Sequence, residues 1–186
     1  ARTFRRVQFT TDLLPSDILG AHLYDPEKRQ FEFLPGPIFS DLVLADELNR
    51  APPRTQSALL EAMEERQVTL EGTTRPLASD FFVIATQNPL NQIGTHPLPE
   101  SQLDRFTMRL SLGYPDQSSE RALYLGGGAP QDAAPVLAAA QVVALQTAAD
   151  AVHVAPALVD YVLALVNATR TDRQVQMGLS PRAGLA

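Results

Sequence analysis

Two short apolar runs set the architecture of this chain. Leu42 to Ala45 (LVLA) and Phe81 to Thr86 (FFVIAT) are each bounded by turn residues and too short for an ordinary helix, so both predict buried strands. Between them PPRTQSALLEAMEERQ, residues 52–67, carries strong helix formers, with prolines where a first turn tolerates a missing N–H. Leu59, Ala62, Met63 and Arg66 share one face of that helix at spacings of three and four. VTLEGTTRPL, residues 68–77, alternates around a glycine-containing turn and predicts a hairpin. FRRVQF at 4–9 predicts a strand that leads into a loop. FEFLPGP at 31–37 predicts a short extended segment closed by a Pro-Gly-Pro turn, and TMRLSL at 107–112 a further alternating strand. Strands separated by helical segments, with crossovers of a dozen or more residues, imply an α/β layer: a parallel sheet with helices on its faces.

Around Gly113, Tyr114 and Pro115 the composition changes to alanine- and leucine-rich sequence. We therefore expect an α/β domain over 1–113 and a helical one over 114–186, with helices near 118–125, 136–148 and 156–169. In the last of these Leu158, Tyr161, Val162, Leu165 and Val166 form an apolar stripe, which predicts a packing face without chemistry. GGGAP at 126–130 reads as a flexible linker between two helices.

Composition removes several functions. The 186 residues include no cysteine, which excludes disulfides, thiolate metal sites and thiol catalysis. His22, His96 and His153 are too scattered to form a zinc cluster alone. Of 15 basic side chains only Lys28 is a lysine, and it lies in YDPEKRQ, so the chain contains no phosphate-binding loop of the form GxxxxGK[ST]. A formal charge of -6 argues against a binder of nucleic-acid backbones, which needs a basic stripe. No apolar run reaches membrane-spanning length and the start lacks a signal peptide's apolar core, so a cytoplasmic protein without membrane insertion is expected.

The chemistry gathers at strand ends. LVLADELNR closes an apolar strand with two consecutive carboxylates, Asp46 and Glu47, and in open parallel sheets ligands bind beyond the carboxyl ends of the strands. There Asp46 could hold Mg2+ directly or through water, and Glu47 could orient and deprotonate a water for attack on a phosphoryl group. The alternative is a strand that simply enters a polar turn. FFVIATQNP ends similarly in Gln87 and Asn88. Were the two strands neighbours, Asn88 would stand beside the acids and could hold the attacking water or a terminal phosphate; otherwise Asn-Pro merely opens a turn. Arg105, in PESQLDRF, could project across a subunit boundary to stabilise transition-state charge, or else pair locally with Asp104 or Glu100. Arg182 follows Ser180, a natural N-cap, and Pro181. An anion bound nearby would explain a cation in that first turn, though a solvent-facing arginine would cost only a few tenths of a kcal/mol.

In order and spacing, RVQFTTDLLPSDILG, GPIFSDLVLADELNRAPPRTQSALLEAMEERQVTLEG, FFVIATQNPLNQIGTHPLPESQLDRF and GLSPRA resemble the MoxR family of AAA+ ATPases. The resemblance covers most of residues 5–113 and the C-terminal end; 116–175 is generic. It implies an AAA+ P-loop-type sheet followed by the beginning of an all-α lid. It also implies an ATP- and Mg2+-dependent motor in which Asp46 and Glu47 are the Walker B pair, Asn88 is sensor 1, Arg105 is the arginine finger and Arg182 is sensor 2. Implied partners are further copies in a hexameric ring, a protein with a von Willebrand factor A domain, and a client protein remodelled in chaperone fashion. The family's first strand and phosphate loop would precede Phe4, and its lid would continue past Ala186. The expectation is therefore a fragment that does not hydrolyse ATP alone. Two other functions stay open: a chelatase-type AAA+ motor subunit and a non-catalytic assembly module.

Overall fold

The computed structural model describes residues 2–88, 94–127 and 134–185, in two units that meet between Arg105 and Phe106. In the first unit the chain runs through β1 (Phe4–Gln8), α1 (Pro15–Leu19), β2 (Gly20–Asp25), β3 (Gln30–Pro35), β4 (Leu42–Asp46), α2 (Pro53–Glu65), β5 (Gln67–Leu70), β6 (Thr73–Pro76), β7 (Phe82–Ala85) and α3 (Glu100–Leu103). Strands β1, β4 and β7 form a parallel sheet in the order β1-β4-β7, with Gln8 opposite Asp46 and Ala45 opposite Ala85. The expected α/β layer is thus present, and its central strand is the one that ends in the acids. Along β4 burial alternates, with Val43 and Ala45 fully inside.

Helix α2 begins with Pro53 at its first position and ends where Arg66 turns left-handed at φ 55°. Its buried side chains are Thr55, Gln56, Leu59, Leu60 and Ala62. The inner face is therefore shifted from the expected one and includes two polar residues. Both are satisfied: the Thr55 hydroxyl donates to Leu13 O at 2.7 Å, and Gln56 Nε2 donates to Ala51 O at 3.1 Å and His96 O at 2.9 Å. Arg66 is exposed yet donates to Phe81 O, fastening the helix end to the start of β7.

Residues 31–37 are more than a lone extended segment. They supply β3, the second strand of an antiparallel hairpin with β2, followed by a single 3₁₀ turn at Pro37–Phe39. At the hairpin base Gly20 and Gly36 bring two backbones together. A Cβ on Gly20 would lie 2.4 Å from Leu34 O, and one on Gly36 2.2 Å from Ile18 O. The expected second hairpin is present as β5–β6. Arg75 of β6 lies 3.9 Å from the Phe33 ring centre and His22 Nδ1 lies 3.1 Å from Glu71, so the two hairpins are joined.

The described part of the second unit is helical: α4 (Gln117–Tyr124), α5 (Ala139–Asp150), α6 (Pro156–Thr171) and α7 (Pro181–Leu185). Two expectations fail in it. Residues 107–112 form no strand, and Met108, Leu110 and Leu112 are exposed, because an alternating pattern yields a strand only where a neighbouring edge accepts its hydrogen bonds. The stripe on α6 is not a closed packing face either: only Val166 is buried, while Leu158, Tyr161 and Leu165 are about half exposed. The first glycines of GGGAP end a helix, with Gly126 and Gly127 donating to Leu123 O and Ala122 O. Residues 128–130 lie outside the described residues.

Candidate functional site

The parallel ladder between β4 and β7 runs past the strand ends. Thr86 N–H donates to Ala45 O and Leu48 N–H donates to Thr86 O, both at 2.9 Å. Between these bonds the chain turns sharply at Glu47, a non-glycine residue in the left-handed region at φ 56°, ψ 44°, a conformation that costs an L-residue roughly 1–2 kcal/mol. The Thr86 hydroxyl fills the turn: it accepts from Glu47 N–H at 2.9 Å and donates to Asp46 Oδ1 at 2.5 Å. Arg6, on β1, donates to Asp46 Oδ2 through Nε at 3.1 Å and Nη2 at 2.5 Å. The Thr86 hydroxyl first and the Arg6 guanidinium second hold the Asp46 carboxyl below its ordinary range, so the group is an anion at neutral pH. Glu47 sits on the turn with its carboxylate 3.2 Å from Arg50.

Asn88 is brought to the same end of the sheet. Asn49 Nδ2 donates to Asn88 O at 2.9 Å and Asn88 N–H donates to Asn49 Oδ1 at 3.3 Å, so the Asn49 amide acts as an extra peptide unit. Asn49 is itself buried, and its carbonyl accepts from His96 N–H at 2.6 Å. The two polar strand ends identified in the sequence are therefore side by side, cross-linked by Thr86 and Asn49.

Arg105 lies against α2, donating to Leu60 O at 2.8 Å and pairing with Glu64 at 2.8 Å, rather than with Asp104 or Glu100. Beside it is an open cleft of about 370 Å3 lined by Ser57, Glu61, Glu65 and Gln102. Arg182 belongs to the second unit, on α7, where the Ser180 hydroxyl oxygen accepts from Ala183 N–H at 3.0 Å as the expected N-cap.

Sequence reasoning missed Thr86, Asn49 and Arg6. Thr86 and Asn49 could have been suspected as polar residues at, or a few positions past, the end of apolar runs that lead into the site. Arg6 carries no such signal, since nothing local shows that β1 lies next to β4. Among the described residues no group of three or more His, Cys, Asp or Glu could hold a metal. Asp46, held as an anion, would suit a hard divalent cation that keeps most of its waters and takes its other ligands from phosphate, rather than a dedicated metal cage. Lys28 is engaged in the β2–β3 turn with Glu32 at 2.6 Å.

Comparison with known proteins agrees with the fold. A family model described as the ATPase family associated with various cellular activities matches residues 1–108. The chain is 46% identical to the uncharacterized protein YeaC of Bacillus subtilis, with 98% of this chain and 58% of that protein covered. It is 45% identical to the chaperone MoxR1 of Mycobacterium tuberculosis, with 98% and 51% covered. A crystal structure of a candidate ATPase from Cytophaga hutchinsonii superposes with a TM-score of 0.82 at 41% identity, covering 98% of this chain and 59% of that one. The chain thus spans between half and three-fifths of the length of these relatives. No helix among the described residues is long and apolar enough to cross a membrane.

Proposed function

The chain belongs to the MoxR-type AAA+ ATPases, and from that premise we propose that it carries the water-activating part of an ATP-driven, chaperone-like motor. In this reading Asp46 faces the Mg2+ that accompanies the nucleotide, Glu47 orients and deprotonates the attacking water, and Asn88 holds that water or the terminal phosphate. The ion would neutralise phosphate oxygens. Arg105 would reach the nucleotide of a neighbouring copy in a hexameric ring, and Arg182 would contact nucleotide phosphate as sensor 2. The further partners in this reading are a protein client and a protein with a von Willebrand factor A domain.

The observation that carries the proposal is the pairing of β4 with β7, which sets an ionised Asp46, the Glu47 turn and the Asn88 backbone at one end of a parallel sheet. Glu47 on a left-handed turn is displaced from the strand's own pleat, which suits the two acids to different jobs: the Asp46 carboxylate accepts from Thr86 and Arg6, whereas among the described residues the Glu47 carboxylate pairs with Arg50. The test is Glu47→Gln in the full-length protein. Hydrolysis should fall by roughly 10²- to 10⁴-fold, the usual range for loss of a general base, with ATP binding retained. Hydrolysis at the unsubstituted rate would overturn the assignment.

A further inference from the structure

We propose that Thr86 is a positioning residue for the acid pair, setting the carboxylate of Asp46 and the backbone of Glu47 against each other through one hydroxyl. The inference rests on the reading of Asp46 and Glu47 given above, and deepens it. Glu47 N–H donates to Thr86 Oγ1 at 2.9 Å, and the Thr86 hydroxyl donates to Asp46 Oδ1 at 2.5 Å. The hydroxyl has one proton and two acceptor lone pairs, so it serves both groups at once: it accepts from the amide and donates to the ionised carboxylate, which can only accept. Thr86 N–H and C=O are tied to Ala45 and Leu48, on either side of the acids, so the residue grips the turn at four points.

That grip explains how a left-handed Glu47 persists. A strained residue holds its conformation only where its surroundings over-determine it, and here the N–H would otherwise lack its bond to the neighbouring strand. A valine would fill the same volume without either hydrogen bond, whereas a serine would keep both. Thr86 also precedes Asn88 by two residues on the same segment. A displacement of the loop that carries Asn88 therefore reaches the acids through the hydroxyl, which makes Thr86 the joint between the residue proposed to sense the phosphate and the residue proposed to activate water.

The experiment compares Thr86→Val, Thr86→Ser and Glu47→Gln in the full-length protein. Thr86→Val should lower kcat for ATP by roughly 10- to 100-fold, the loss of a hydrogen bond to a charged group, with KM changed by less than about threefold. Thr86→Ser should stay within about threefold of the unsubstituted protein. Independently of turnover, exchange of the Glu47 amide proton should quicken by about tenfold or more in Thr86→Val and not in Thr86→Ser. Equal kcat in the valine and serine variants, whether both high or both low, overturns the proposal. Should the valine variant not fold, Thr86→Ala against Thr86→Ser decides by the same ratio. Undiminished hydrolysis by Glu47→Gln strikes instead at the reading of Glu47 itself, so the two failures are distinguishable.

Discussion

Asp46 carries an acidity that its neighbours set. The Thr86 hydroxyl first and the Arg6 guanidinium next lower its pKa from the 3.8 of a free carboxyl. A carboxyl whose folded pKa is depressed stabilises the fold above its unfolded pKa, and the contribution is lost as pH falls through the folded value. The Asp46 side-chain carbon should therefore titrate below pH 3.8 by NMR. In Thr86→Val the midpoint should move up towards 3.8 and the acid limb of the stability curve should become shallower. An unmoved midpoint would show that the hydroxyl does not act on this carboxylate. Asp46 and Glu47 could be picked out from the sequence because two acids closing an apolar run are conspicuous. Arg6 could not, since its effect depends on β1 lying beside β4 in register with Gln8 opposite Asp46.

At the scale of elements, hydrophobic pattern succeeded where burial is set by the element itself. LVLA and the core of FFVIAT became β4 and β7, and residues 52–67 contain α2. It failed where a partner decides. Alternation at 107–112 met no accepting edge among the described residues, while β2 was overlooked because its first residues owe their path to the close approach of Gly20 and Gly36. That approach makes a prediction. Gly36→Ala puts a Cβ 2.2 Å from Ile18 O and should destabilise the protein by more than about 1 kcal/mol. Gly72, whose Cβ would meet nothing within 4 Å, should cost less on substitution by alanine, since only its φ of +77° is strained. Urea unfolding midpoints of the two variants give the comparison. Leu59, fully buried on α2, should lose ~2–5 kcal/mol on truncation to alanine, read by the same transition.

For the whole molecule, the proposed chemistry calls on a neighbouring copy as well as on this chain. Arg105 is clamped by Glu64 and Leu60 O, so an arginine acting on a neighbouring copy would start from a fixed base on α2. In the full-length protein, Arg105→Ala should depress turnover by roughly 10³-fold or more in assembled rings while leaving the rate of dilute monomer unchanged. Equal loss in both states would mean that the arginine acts within its own subunit. These 186 residues alone should show no robust ATP hydrolysis, because their one lysine is held on a hairpin turn and no GxxxxGK[ST] sequence is present. Steady phosphate release by the purified chain, abolished by Glu47→Gln, would refute that. The sequence by itself determined that β4, α2, the β5–β6 hairpin and β7 form, and that β4 and the segment after β7 lead into acids and an amide, because run length and periodicity are local properties of the chain. Only the tertiary structure decided that Thr86, 40 positions from Asp46, donates a hydrogen bond to it, since the neighbour across a parallel ladder is fixed by crossover path and register rather than by adjacent residues.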